Sequence, residues 1–202
     1  MISFELLSSC CLKYLELLSR YYFDLRGTGR QVIMHNFEGT LSGRKRNIVL
    51  LALVLLAADQ LSKLAAYVLL RGKNGTILLP HVLELQYLEN EGAAFGILRG
   101  RQWIFVLFAA LIMLLVIWFC RRIPDRKEFR PLLYLAAILS AGALGNMADR
   151  ILHTYVIDFI YLSFIDFPVF NIADMYVVGS CIGFLYLILF RYKDEDLKQI
   201  LK

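Results

Sequence analysis

Four stretches of this chain are both apolar and long, and they govern how the rest is read. The first runs from about Ile48 to about Leu70, interrupted only by Asp59, Gln60, Ser62 and Lys63. The second, Trp103 to Cys120, is an unbroken apolar run of eighteen residues. The third begins at Pro131, a residue suited to a first helical turn, and continues through Leu144 into Gly145 and Asn146. The fourth extends from about Ala173 to Phe190, with Gly179 and Gly183 four apart, as small residues are where helices approach closely. A helix needs roughly 20 such residues to cross a hydrocarbon core of about 30 Å, so four membrane spans are predicted. Residues 71–101 cannot span. Lys73-Asn74-Gly75-Thr76 is turn chemistry, and Ile77 to Pro80 and His81 to Leu88 are strand-like runs. They predict a small sheet at the membrane surface, too small to fold alone.

Composition agrees with this pattern. Hydrophobic residues make up 59% of the chain and charged ones 19%, against roughly 25% charge in soluble domains. The net charge of +5 does not call for nucleic acid, because the basic residues flank the apolar blocks. Arg44, Lys45 and Arg46 precede the first; Arg121, Arg122, Arg126, Lys127 and Arg130 separate the second from the third; Arg191, Lys193, Lys198 and Lys202 follow the fourth. Such clusters mark cytoplasmic sides. Both termini are therefore expected inside, with Asp59, Asn90, Asn146, Asp158 and Asp174 at or near the outer face. Cys10, Cys11, Cys120 and Cys181 form no CxxC pair, so neither a disulfide framework nor a zinc site is expected. Residues 1–45 lack the apolar run and cleavage site of a secretory signal. They read as a poorly ordered cytoplasmic extension, with Met34 an alternative start. Residues 46–192 are the expected membrane domain and 193–202 a cytoplasmic tail.

The chemistry is concentrated between Gly142 and Asp174. Asp149, Asp158, Asp166, Asp174, Asn146, Asn171 and Arg150 stand there among residues that are almost all apolar. Ionisable groups at a bilayer edge are costly and are functional candidates by default. Asn146, Asp149 and Arg150 are spaced i, i+3, i+4, so one helix end presents them together; Asp59 and Lys63 share a face of the first span in the same way. The short connection carrying Asp158 has to fold back along the membrane, which would set it opposite Asp174. Two carboxylates sharing a site hold one proton between them, and such a pair can take a proton from water while donating one to a peptide carbonyl. A zinc protease lacks its parts, since His35, His81 and His153 form no HExxH, and no GxSxG elbow is present. Asp149 beside Arg150 could be only an ion pair, and Asp166-Phe167-Pro168 reads as a turn. Spacing alone leaves three readings open: a paired-Asp enzyme, a small proton-coupled transporter or channel subunit, and a scaffold with a polar packing network.

Five blocks narrow the choice. Asp59-Gln60-Leu61-Ser62-Lys63, Asn90-Glu91-Gly92-Ala93-Ala94-Phe95, Gly142 to Arg150, Val156-Ile157-Asp158-Phe159 and Phe170-Asn171-Ile172-Ala173-Asp174 make the sequence resemble the lipoprotein signal peptidases (signal peptidase II), membrane aspartyl peptidases of bacteria. They spread over about residues 46–192, in the family's order. The resemblance implies an α-helical polytopic membrane protein with four transmembrane helices, an extracytoplasmic β-cradle over 71–101 and a short outer-surface helix. It implies Asp158 and Asp174 as the catalytic pair, cutting before the lipid-modified Cys of a diacylglyceryl prolipoprotein. Asp59, Lys63, Asn90, Gly92, Asn146, Asp149, Arg150 and Asn171 are then expected to bind substrate or inhibitor, Asp149 in a more structural role. Globomycin-type inhibitors and membrane lipids are the further implied partners. No cofactor, metal or nucleic acid is implied; the setting is a bacterial inner membrane and the expected state is a monomer. The chain departs from the family at Ala141-Gly142, where Gly-Gly is common, and at Met175, where a small polar residue is common.

Overall fold

The computed structural model describes residues 43–92, 100–124 and 126–201. Apart from the first turn of α1, the expected extension over 1–45 lies outside them, as do Ala93 to Gly96. In chain order the elements are α1 (Gly43–Leu70), β1 (Thr76–Leu79), β2 (Leu83–Asn90), α2 (Gln102–Arg122), α3 (Arg130–His153), β3 (Val156–Leu162), α4 (Ile172–Tyr186) and α5 (Asp194–Leu201). A π-helical turn, Leu187–Arg191, carries α4 onward. Among the described residues, four helical stretches are long and apolar enough to cross a membrane: Arg46–Leu70, Gln102–Arg122, Lys127–His153 and Ile172–Arg191.

The four spans fall where hydropathy predicts them, and their burial follows composition. No residue of α2 is buried, and its large side chains, Trp103, Leu107 and Leu114 among them, face outward, as a lipid-facing helix requires. The central helix is α3, whose buried face is made of small residues, Ala136, Ala137, Ser140, Ala141, Gly142, Ala143 and Gly145. Small side chains let α4 come close: a Cβ on Gly142 would stand 2.5 Å from the Ala173 carbonyl oxygen. The Gly179/Gly183 pair divides. Gly183 faces Leu135 of α3, 2.7 Å from where its Cβ would be, whereas Gly179 has nothing within 4 Å and is not a packing position.

The sheet at one end of the bundle is antiparallel, in the order β1-β2-β3. β1 and β2 correspond to the strand-like runs Ile77 to Pro80 and His81 to Leu88, with the second strand starting at Leu83 and reaching Asn90. The third strand is an addition to that reading, in which Val156 onward was only a connection folding back. It pairs with β2 in the register Leu83↔Leu162, Leu88↔Asp158 and Asn90↔Val156. Ile157 and Phe159 of β3 pack on Ala66 and Leu70 of α1, which seats the sheet on the helices. Asp166 does lie in a turn, with φ +48, just after the 3-10 turn Ser163–Ile165; its carboxylate accepts the Tyr161 hydroxyl at 2.6 Å. That is the helical piece the described residues show beside the sheet outside the spans. At the far end of the bundle, α5 is more than a tail: Ile200 and Tyr192 are buried with Phe129 and Leu132, and the Tyr192 hydroxyl donates to the Glu128 carbonyl at 2.8 Å.

Candidate active site

Asp158 and Asp174 reach one place by two backbone devices. In β3, Asp158 sits opposite Leu88, near the end of the ladder. The return segment is then bonded to the same strand: Phe159 and Ile160 both donate to the Phe170 carbonyl, at 3.0 and 2.8 Å, and Phe170 donates back to Ile160 at 3.0 Å. The start of α4, only one residue later, is thereby set beside Asp158. Asn171 is the N-cap of α4 in a full capping box. Its Oδ1 accepts the Asp174 N–H at 3.0 Å, while Asp174 Oδ2 accepts the Asn171 N–H at 3.2 Å. Two of the orphan N–H groups at the helix start are satisfied this way.

Three asparagine amides then face the two carboxylates. Asn171 donates to Asp158 Oδ1 at 2.6 Å, Asn90 to Asp158 Oδ2 at 2.8 Å, and Asn146 to Asp174 Oδ1 at 2.7 Å. In each amide the oxygen is already engaged by a group that can only donate. Asn90 Oδ1 accepts the Gly92 N–H at 2.9 Å, Asn171 Oδ1 accepts the Asp174 N–H, and Asn146 Oδ1 accepts Lys63 Nζ at 2.9 Å. The nitrogen of each amide is therefore the atom left for the carboxylates.

Behind this layer lies a buried ionic group. Lys63 Nζ is 2.9 Å from Asp59 Oδ2 and 2.8 Å from Asp149 Oδ2. The Asp149 contact is ionic, because its angles fall outside hydrogen-bond range. Asp59 also accepts the Ala173 N–H at 3.0 Å, which holds the first turn of α4 against α1. Gln60, to which sequence reasoning gave no role, donates to Asp59, to Asp149 and to the Gly145 carbonyl at 3.2, 3.0 and 3.3 Å. Asp59, Lys63 and Asp149 are almost entirely buried. Removing one member of such a group strands a charge in a low-dielectric interior, at a cost of about 3–5 kcal/mol. Asp149 thus pairs with Lys63 and not with its neighbour Arg150.

In front of the carboxylates opens a cavity of about 1040 Å³, lined by Asp158, Asp174, Asn90, Gly92 and Arg150 and walled by Phe105, Phe167, Met175, Val178 and Gly179. Of the residues expected to bind substrate, Asn90, Gly92 and Arg150 line it. Asp59, Lys63, Asn146, Asp149 and Asn171 stand behind it, in the supporting network. Arg150 donates to the carbonyls of Asn146 and Gly92 at 3.2 and 3.3 Å and lies 4.6 Å over the Phe105 ring. Phe105 carries no signal in the sequence, being one apolar residue within an apolar span. Burial, and after it the Asp174 carboxylate, push the Asp158 carboxyl up to about 6, while the Asn90 and Asn171 amides and the Lys63 charge pull the other way. Among the described residues no group of three or more His, Cys, Asp or Glu is placed to hold a metal ion.

Two carboxylates in one cavity, one with a raised proton affinity, is the arrangement of a paired-Asp hydrolase. The signal peptidase (SPase) II family matches residues 51–191. The chain belongs to the signal peptidase II family. It is therefore an aspartic peptidase, and the transporter and scaffold readings fall away. The lipoprotein signal peptidase of Streptococcus pyogenes serotype M5 (strain Manfredo) is 37% identical over 157 residues, covering 76% of this chain and 97% of that protein. Its counterpart in serotype M3 (strain ATCC BAA-595 / MGAS315) is 36% identical with the same coverage. Two solved structures described as bacterial membrane enzymes, determined by the in meso method, superpose with TM-scores of 0.66 and 0.64, each at 30% identity. They cover 73% and 72% of this chain, which in turn covers 92% and 94% of theirs. The peptidase is a multi-pass membrane protein, as the spans require.

Proposed function

We propose that Asp158 and Asp174 are the catalytic pair of this peptidase, sharing one proton, and that its substrates are lipid-modified prolipoproteins. The ionised carboxylate takes a proton from the attacking water as the protonated one donates to the scissile carbonyl. The pair titrates as a unit, so the two roles are not divided between named residues. The observation that carries this reading is the convergence of both carboxylates on one cavity, each oriented by asparagine N–H donors. The apolar wall of that cavity, Phe105, Met175, Val178 and Gly179, suits acyl chains on a diacylglyceryl cysteine, with the cut placed just before that residue. The lysine and arginine clusters support cytoplasmic termini, which would put the cavity on the outer side of a bacterial inner membrane. Residues 46–192 form the peptidase domain on this reading, between an N-terminal extension and a short C-terminal segment; a monomer that globomycin inhibits completes it.

The test is a gel-shift cleavage assay on a lipid-modified prolipoprotein, with the full chain in liposomes and with or without globomycin. Asp158→Asn and Asp174→Asn should each lower turnover by about 10²-fold or more, the contribution typical of a positioned acid or base. Normal cleavage by both variants would sink the assignment.

A further inference from the structure

The three amides that face the catalytic pair are not anchored alike. The oxygens of Asn90 and Asn171 are held by backbone N–H groups, those of Gly92 and Asp174, and no side-chain substitution removes these. The oxygen of Asn146 is held by the Lys63 ammonium at 2.9 Å, with a longer contact from Asn171 Nδ2 at 3.3 Å. We propose that Lys63 is a positioning residue for the peptidase reaction: its ammonium fixes the rotation of the Asn146 amide, so that an N–H is always directed at Asp174.

An ammonium carries donors only, so the amide atom lying against it has to be oxygen. A primary amide has one oxygen and one nitrogen at opposite corners, and fixing the first aims the second, here at Asp174 Oδ1 at 2.7 Å. Lys63 is in turn immobilised by Asp59 and Asp149, at 2.9 and 2.8 Å. At 2% exposure and away from the cavity walls it cannot meet substrate itself. Without the ammonium, the weaker Asn171 contact alone opposes a half-turn of the amide. That half-turn would present a carbonyl oxygen to Asp174, and a carbonyl can face a carboxyl only when the carboxyl is protonated. The pair would then keep its proton to higher pH and lose its ionised member, the one that activates water.

This inference rests on Asp158 and Asp174 being the catalytic pair, and the experiment separates the two. Lys63→Met alone would leave Asp59 and Asp149 both unpaired, so the informative comparison is Lys63→Met/Asp149→Asn against Asp149→Asn. Relative to Asp149→Asn the double variant loses only the Lys63 charge, whose removal alone also favours the protonated pair; the fall in kcat and the Asn146 amide spectrum separate amide rotation from that charge effect. The other charged groups around the carboxylates stay as they are: Arg150 from α3, Asp59 from α1, and Glu89 and Glu91 at the cavity edge. Cleavage of a lipid-modified prolipoprotein is measured from pH 5 to 9. The double variant should show kcat at least tenfold below that of Asp149→Asn, KM within about twofold, and an alkaline limb of kcat/KM at least half a pH unit higher. Loss of folded enzyme would lower kcat without moving that limb. Equal kcat and equal limbs in the two variants overturn the proposal. If the double variant does not fold, the wild-type chain decides, with 15N-labelled asparagine side chains assigned through Asn146→Ser. Positioning predicts two distinct, slowly exchanging Asn146 amide protons; averaged, fast-exchanging ones overturn it. Should Asp158→Asn and Asp174→Asn both cleave normally, it is the catalytic assignment that fails. If they are inactive and the Lys63 comparison is flat, only the present inference fails.

Discussion

At the scale of single residues, Asp158 carries the plainest pH signature. Its carboxyl titrates at about 6 in the folded protein against an ordinary 3.8, chiefly because it is buried. A folded value above the unfolded one means that the native state binds more protons between the two. The stability this group contributes is thus present below about pH 4 and is lost as pH rises through 6. A shift of that size is worth about 3 kcal/mol at most, at 1.36 kcal/mol per unit. Thermal unfolding of Asp158→Asn, which cannot titrate there, should therefore improve relative to wild type between pH 4 and pH 7. If Asp158 and Asp174 are the catalytic pair as proposed, the same proton governs catalysis: kcat/KM of the wild-type enzyme, which reports the free protein, should decline above about pH 6. A flat profile from pH 5 to 8 would contradict the raised value. The sequence showed which acids to consider but not their environments. The Asp-Phe-Pro turn signal and the family blocks already set Asp166 apart from Asp158 and Asp174; what the sequence could not show is that the latter two are met by three amides, while the Asp166 carboxylate lies at the surface beside Tyr161.

At the scale of elements, the contact of α3 with α4 sets the site, because the first turn of α4 carries Asp174. A Cβ at Gly142 would meet the Ala173 carbonyl oxygen at 2.5 Å and Val177 Cγ2 at 2.9 Å; a backbone oxygen cannot swing aside as a side chain can. Gly142→Ala should destabilise the protein by about 1–3 kcal/mol, the usual cost of overpacking, and should lower kcat as α4 is pushed away. Gly179→Ala on the same helix meets nothing within 4 Å and should leave the melting temperature unchanged; equal losses in the two variants would refute this packing account. The helices themselves were readable because length and apolarity are local properties. β3 was not readable as a strand. Val156 to Leu162 is a nearly continuous apolar run, and its partner β2 lies some seventy residues earlier (Asn90 opposite Val156, Leu88 opposite Asp158). Strand pairing over that separation leaves no mark within either segment. The bond from Ala173 N–H to Asp59, which joins α1 to α4, is hidden for the same reason.

At the scale of the whole molecule, the protein divides into a supporting side and a working side, and the spans differ in length between them. The supporting ionic group hangs on α1 and α3, whose spans have 25 and 27 residues; the apolar cavity wall belongs to α2 and α4, with 21 and 20. At 1.5 Å per residue these are about 38–40 Å against about 30 Å. The longer pair exceeds a hydrocarbon core of about 30 Å, and the shorter pair only just matches it. A hydrocarbon layer matched to α2 and α4 would end close to Asp174 and Phe105, with α1 and α3 continuing past it into the headgroups. The proposed catalytic carboxylates would then sit at a waterline set by the lipid as much as by the protein. Thicker bilayers should submerge them and thinner ones should strand the acyl chains of a bound substrate. In vesicles of graded acyl length, kcat/KM should pass through a maximum near a 30 Å core, while a rate indifferent to chain length would show that the cavity is sealed from the membrane. An enzyme built in this way would sense the thickness of the membrane it works in.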